Sequence, residues 1–77
     1  MMNRRRNIKK KAMTILNNSY HGLTFEEWCA RIKEEVADVD MAVIQNAVTS
    51  LIKSHWKVQY MNDEKRGKIY VHLDLLL

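Results

Sequence analysis

Apolar and polar residues alternate with two periods along this chain, helical up to about Ser54 and strand-like after it. Between Met41 and Ser54, Ile44, Ala47, Val48, Leu51 and Ile52 recur at the i, i+3, i+4, i+7, i+8 spacing, so one stripe of a helix is apolar and faces a core. The opposite side carries Ala42, Asn46, Thr49 and Lys53, with Gln45 and Ser50 on its flanks. That outward face is polar and nearly uncharged. Beyond it, Trp56, Val58 and Tyr60 alternate with Lys57, Gln59 and Met61, and Ile69, Val71 and Leu73 alternate with Lys68, Tyr70 and His72. Asn62 to Gly67 supplies a charged turn, with Gly67 suited to a positive φ near its exit. Two strands joined this way form an antiparallel hairpin, which is marginal alone and must lie on helices or gain a third strand.

The first half reads as two further helices. Ile8, Ala12, Ile15 and Leu16 form an apolar stripe that predicts a helix from about Asn7 to Asn17, with Asn7 or Asn3 as its N-cap. Asn17, Asn18, Ser19 and Gly22 mark a turn, and Tyr20 to Leu23 fits a short additional strand. Thr24 with Glu27 three residues on is a capping box. It opens a helix whose stripe is Phe25, Trp28, Cys29, Ile32 and Val36, and whose exposed face holds Glu27, Arg31, Glu34 and Glu35. Asp38 or Asp40 caps the next helix, so only about three or four residues join the two, the spacing of a helix-turn-helix.

This order of elements, over about Ile8 to Leu73, resembles the winged helix-turn-helix superfamily. The resemblance implies an α+β fold: a three-helix bundle with a C-terminal two- or three-stranded antiparallel β-hairpin as the wing; the length of 77 residues makes one domain, residues 1–77. It further implies a DNA-binding protein, a transcriptional regulator, whose third helix enters the major groove of double-stranded DNA while the wing reaches the backbone. Carried onto this chain, the base-reading positions are Ala42, Gln45, Asn46 and Thr49, and Lys53, Lys65, Arg66 and Lys68 hold phosphates. Gln and Asn can bond adenine with two hydrogen bonds, and Ala or Thr methyls can touch a thymine methyl. The alternative is a protein-interaction winged helix, an adaptor or inhibitor, that uses the third helix, which offers a single cation, or the C-terminal leucines Leu75 to Leu77.

Charge distribution adds to this. The net charge is +4. All six cations before Gly22 (Arg4, Arg5, Arg6, Lys9, Lys10, Lys11) are unopposed, whereas Leu23 to Asp40 holds six acids against two bases. A polyanion is therefore drawn to the chain ends and repelled from the middle helix. Residues 1–7 read as a basic arm, with Arg4, Arg5 and Arg6 either on DNA phosphates or in a disordered, solvated start.

Other chemistry finds little support. His21, His55, His72 and Cys29 match no common zinc spacing, and Cys29 lies in an apolar stripe where a packed thiol is the plain reading. Only Gly22 and Gly67 are glycines, so no phosphate-cradling loop is present. The expectation is a protein without enzymatic activity, cofactor or metal. A lone cysteine, no apolar run of membrane-spanning length and no signal peptide point to the cytoplasm. Trp28 is expected in the core, Trp56 beneath the wing, and Tyr60 and Tyr70 as a cross-strand pair. The apolar tail at residues 74–77, with Leu75, Leu76 and Leu77, must close over the core or bury against a second copy, and a homodimer contact is the expectation.

Overall fold

The computed structural model describes the backbone from Arg4 to Leu77 and the side chains from Ile8 onward. It is an α+β domain in which three helices, α1 (Arg4–Asn17), α2 (Phe25–Glu35) and α3 (Met41–Ser54), precede an antiparallel hairpin of β1 (Val58–Asp63) and β2 (Gly67–His72). A single 3-10 turn, Leu73–Leu75, follows β2.

The apolar stripes meet at one centre. Ile8, Ala12 and Leu16 of α1, Trp28, Cys29 and Ile32 of α2, and Ile44, Val48 and Leu51 of α3 are buried together, with Val39 from the α2–α3 connection among them. Trp28 lies in the middle, fully buried. Its indole Nε1 donates to the Ala12 carbonyl at 3.0 Å, and its ring meets Tyr70 at a centroid distance of 6.0 Å. One side chain thus ties α1, α2 and β2 together.

Local chemistry sets the ends of these elements. Both capping-box bonds form at α2: Glu27 N donates to Thr24 Oγ1 at 3.1 Å, and Thr24 N donates to Glu27 Oε1 at 2.9 Å. Lys33 then ties down the next connection, its Nζ donating to the carbonyls of Ala37 and Val39. Asp40 takes the N-cap position of α3 without a side-chain hydrogen bond to the helix.

Four expectations need correction. The first helix starts at Arg4, so Asn7 lies within it instead of capping it, and Arg4, Arg5 and Arg6 form its first turn instead of an arm before it. Arginine is a good helix former, and extending a helix already anchored by buried Ile8 costs little. Asn3, the other candidate cap, lies outside the described residues. The strand expected over Tyr20–Leu23 shrinks to one residue: Leu23 exchanges hydrogen bonds of 2.9 and 2.7 Å with Tyr70, and Gly22, at φ +72°, turns the chain just before it.

Strand alternation also fails in β2, where Ile69, Tyr70, Val71 and His72 are all buried. With Leu23 on one edge and β1 on the other, β2 is the inner strand and is covered on both faces. Tyr70 is therefore a core residue directly opposite exposed Tyr60, and not a surface group. Trp56, expected beneath the hairpin, is 69% exposed. It sits in the turn before β1, the outer strand, and its neighbour Lys57 places its ammonium 5.2 Å from the indole centroid.

Candidate nucleic-acid interface

Burial of Ile44, Ala47, Val48 and Leu51 fixes the rotation of α3 and so decides what it presents outward. Ala42, Gln45, Asn46 and Lys53 are exposed, and Thr49 and Ser50 are half-buried at the rim. Among the described residues, no side-chain hydrogen bond engages Gln45 or Asn46, so both amides face solvent with donors and acceptors free. The strip is continuous because residues 42, 46, 49 and 53 follow one another at helical i+4 and i+3 steps.

Beside this strip, α1 and α3 enclose a groove of about 300 Å³ lined by Lys9, Val43, Asn46, Ala47 and Ser50. Lys9 Nζ donates to Ser50 Oγ at 3.2 Å. A cation from α1 thus stands at the edge of the outward face of α3. Lys9 was not among the residues expected here, yet its position carried a signal: it follows buried Ile8, so its stem flanks the apolar stripe and runs along the neighbouring helix.

The hairpin cations divide. Lys65 is exposed at the turn, and Lys68 holds its ammonium 4.5 Å from the Tyr60 ring centroid. Arg66, expected on phosphate, turns inward. Its Nη1 donates to the Gly22 carbonyl at 3.1 Å and to Glu27 Oε1 at 3.2 Å, its Nη2 donates to the His21 carbonyl, and Asp63 lies 3.7 Å away. A planar guanidinium suits two carbonyls and two carboxylates at once. Arg66 latches the hairpin turn to the α1–α2 connection and to the start of α2. The side chains of Arg4, Arg5 and Arg6 lie outside the described residues.

The two carboxyls that Arg66 meets are held down chiefly by backbone N–H groups, with the guanidinium charge adding. Backbone hydrogen bonding from Thr24, followed by the charge of Arg66, holds the Glu27 carboxyl below its ordinary value of 4.5. Asp63 is held below 3.8 by the backbone N–H groups of Lys65 and Arg66, then by the Arg66 charge. A carboxyl with a depressed folded pKa contributes stability that is complete above its unfolded value and is lost as pH falls through the folded one. The melting temperature should therefore hold from neutrality down to the ordinary carboxylate range and drop below it. Arg66→Ala should lower stability by about 1–2 kcal/mol through its lost hydrogen bonds and make that acid drop slightly shallower, since the backbone bonds to both carboxyls remain. Thermal melts across pH, read by circular dichroism, check both; an unchanged drop would show that the guanidinium charge does not contribute to it.

Among the described residues no three His, Cys, Asp or Glu side chains gather as a metal-ligand set. Burial, with the charge of Glu26 adding, pushes the Cys29 thiol up to about 11, which leaves it protonated and unreactive at neutral pH. No described helix is long and apolar enough to cross a membrane. The chain matches no protein-family model, no curated protein and no solved structure.

Proposed function

We propose that this chain is a small DNA-binding protein of the winged helix-turn-helix type, a transcriptional regulator that lays α3 in the major groove and sets the hairpin, as its wing, on the backbone. The observation that carries the reading is the outward strip of α3. Ala42, Gln45, Asn46 and Thr49 are short or amide-bearing side chains suited to base edges, and Lys53 and Lys9 stand beside them for phosphates. With Lys65 and Lys68 on the hairpin, four lysines reach the backbone. Arg66 takes no part, because its guanidinium holds the fold together.

Four neutralised phosphates give a salt slope of about −3.6, so raising salt from about 50 to about 200 mM should weaken binding roughly 150-fold. Fluorescence anisotropy with a labelled duplex tests this. Lys53→Ala should reduce the slope by about one, while Arg66→Ala should leave it unchanged in protein that remains folded. Asn46→Ala with Thr49→Ala should reduce sequence preference more than non-specific affinity. Failure of the folded chain to bind any duplex at low salt would refute the reading.

A protein partner is the second reading. The exposed Trp56, Tyr60, Met61, Leu76 and Leu77 favour it, since large apolar side chains on a small domain are common at contact surfaces. Leu75 is half-buried in the 3-10 turn, so a homodimer contact at the tail would rest on Leu76 and Leu77.

A further inference from the structure

The two edges of the sheet differ: β2 is bridged at one residue and β1 is open. Leu23 bridges the β2 edge at Tyr70, exchanging two hydrogen bonds with it. Nothing covers β1. The Lys57 carbonyl accepts Leu73 N–H at 2.7 Å, which makes these residues a hydrogen-bonded pair. At a period of two, Lys57, Gln59, Met61 and Asp63 therefore face β2 with their backbone groups, and Val58, Tyr60 and Asn62 direct theirs to the other side. Val58 N–H is taken by the His55 carbonyl at 3.0 Å. The N–H and C=O groups of Tyr60 and Asn62 and the Val58 carbonyl are left without a partner among the described residues.

Such an edge is a template for another strand unless proline, a bulge or an inward-pointing charge blocks it. None is present here: the chain has no proline, the β1–β2 register runs without a break from Val58↔His72 to Asp63↔Gly67, and Gln59, Tyr60, Met61 and Asn62 carry no charge. Tyr60 is 64% and Met61 42% exposed, so pairing would also remove apolar surface from water.

We propose that β1 is the homodimer interface of this protein: β1 of a second copy adds antiparallel along the free edge, about a two-fold axis at Tyr60, to make a continuous four-stranded sheet. Outward-facing residues must pair with outward-facing ones, which leaves a short series of registers differing by one-residue moves of the two-fold axis. Centred on Tyr60, Asn62 lies opposite the partner's Val58, Gln59 opposite the partner's Met61, and Lys57 opposite the partner's Asp63. The backbone exchanges two hydrogen bonds at Tyr60, and each Asn62 N–H reaches the partner's Val58 carbonyl. Centred on Met61, each Lys57 would instead run past the end of the partner's β1 toward the turn that carries the partner's Lys65. Centred on Gln59, Lys57 would face the partner's Met61.

Charge complementarity thus selects the Tyr60 axis. Lys57 already lies 3.3 Å from Asp74, and Asp63 already accepts the N–H groups of Lys65 and Arg66, so the new pairs choose the register more than they add affinity. The backbone bonds and the facing Tyr60 side chains hold the dimer. The interface is small, and the association is accordingly weak and concentration-dependent. This inference stands on the geometry of the edge and does not rest on DNA binding.

Cysteine trapping tests both interface and register. Directly opposed hydrogen-bonded residues have Cα atoms about 5.5 Å apart, within disulfide range, whereas residues displaced along the strands do not. Under mild oxidation Tyr60→Cys should form a covalent dimer at least about tenfold faster than Met61→Cys, with native melting behaviour in both reduced chains. Buried Cys29, with its raised pKa, does not compete. The unaltered chain should sediment as an increasing fraction of dimer as concentration rises. Asn62→Pro, which removes an outward N–H and leaves the β1–β2 ladder intact, should return it to monomer. A monomer at all concentrations, or trapping at position 60 no faster than at 61, overturns the proposal.

Discussion

Trp28→Ala should remove a large share of the chain's stability at room temperature. Truncating a fully buried tryptophan removes its transfer energy and leaves a cavity, together worth about 3–5 kcal/mol. A domain of 77 residues holds roughly 4–12 kcal/mol in all. The loss here belongs toward the upper end, because the indole also donates to Ala12 and packs on Tyr70, so α1 and β2 lose their common contact with α2. Trp28→Phe keeps a ring against Tyr70 and should cost about 1–3 kcal/mol, for the lost hydrogen bond and the smaller ring. Urea melts followed by far-UV circular dichroism separate the two variants. Tryptophan fluorescence would not report the change well, since the remaining Trp56 is exposed in the native state. Full retention of stability in Trp28→Ala would contradict the central place given to this side chain.

Gly22→Ala should follow, with a loss of about 2–4 kcal/mol, against about 1 kcal/mol for Gly67→Ala. Both glycines have positive φ, +72° and +82°, so alanine strains the backbone at either. Only Gly22 is crowded as well. A Cβ there would lie 2.9 Å from Ile69 Cδ1 and from Val71 Cγ1, and 3.1 Å from the Tyr70 carbonyl, whereas one at Gly67 meets nothing within 4 Å. Two of these atoms belong to side chains already buried, and the third is the carbonyl that receives Leu23 N–H. Relief therefore requires β2 to move away from the α1–α2 connection, which strains the Arg66 latch at the same place. Equal losses in the two variants would mean that φ alone governs Gly22.

The helices were legible because their signals are local. The capping box at Thr24, the period of Ile44, Ala47, Val48 and Leu51, and the stripe through Trp28 and Ile32 all appear within a few residues of one another, and the same residues line the core. The hairpin position was legible from its alternation and from Gly67. What the alternation could not reveal was which strand lies inside. That depends on Leu23, which pairs with a residue 47 positions away, and it reverses the environment expected for Tyr70, while Trp56 is exposed in the turn before the outer strand.

The candidate site divides in the same way. The polar strip of α3 follows from the apolar one, so Ala42, Gln45, Asn46 and Lys53 could be named from spacing alone. Arg66 could not be placed, because charge in a turn says nothing of the carbonyls of His21 and Gly22 that claim it. Lys9 was missed for a related reason: its relation to Ser50 exists only once α1 packs beside α3.

The DNA-binding reading is tested most directly by titrating the isotope-labelled chain with a short duplex and following each amide by NMR. The proposal predicts shifts at Ala42, Gln45, Asn46, Thr49 and Lys53, including the side-chain amides of Gln45 and Asn46, with a second group at Lys65 and Lys68, all suppressed by added salt. An unperturbed spectrum of folded protein at low salt, or shifts confined to the acidic face of α2 or to Leu76 and Leu77, would contradict it.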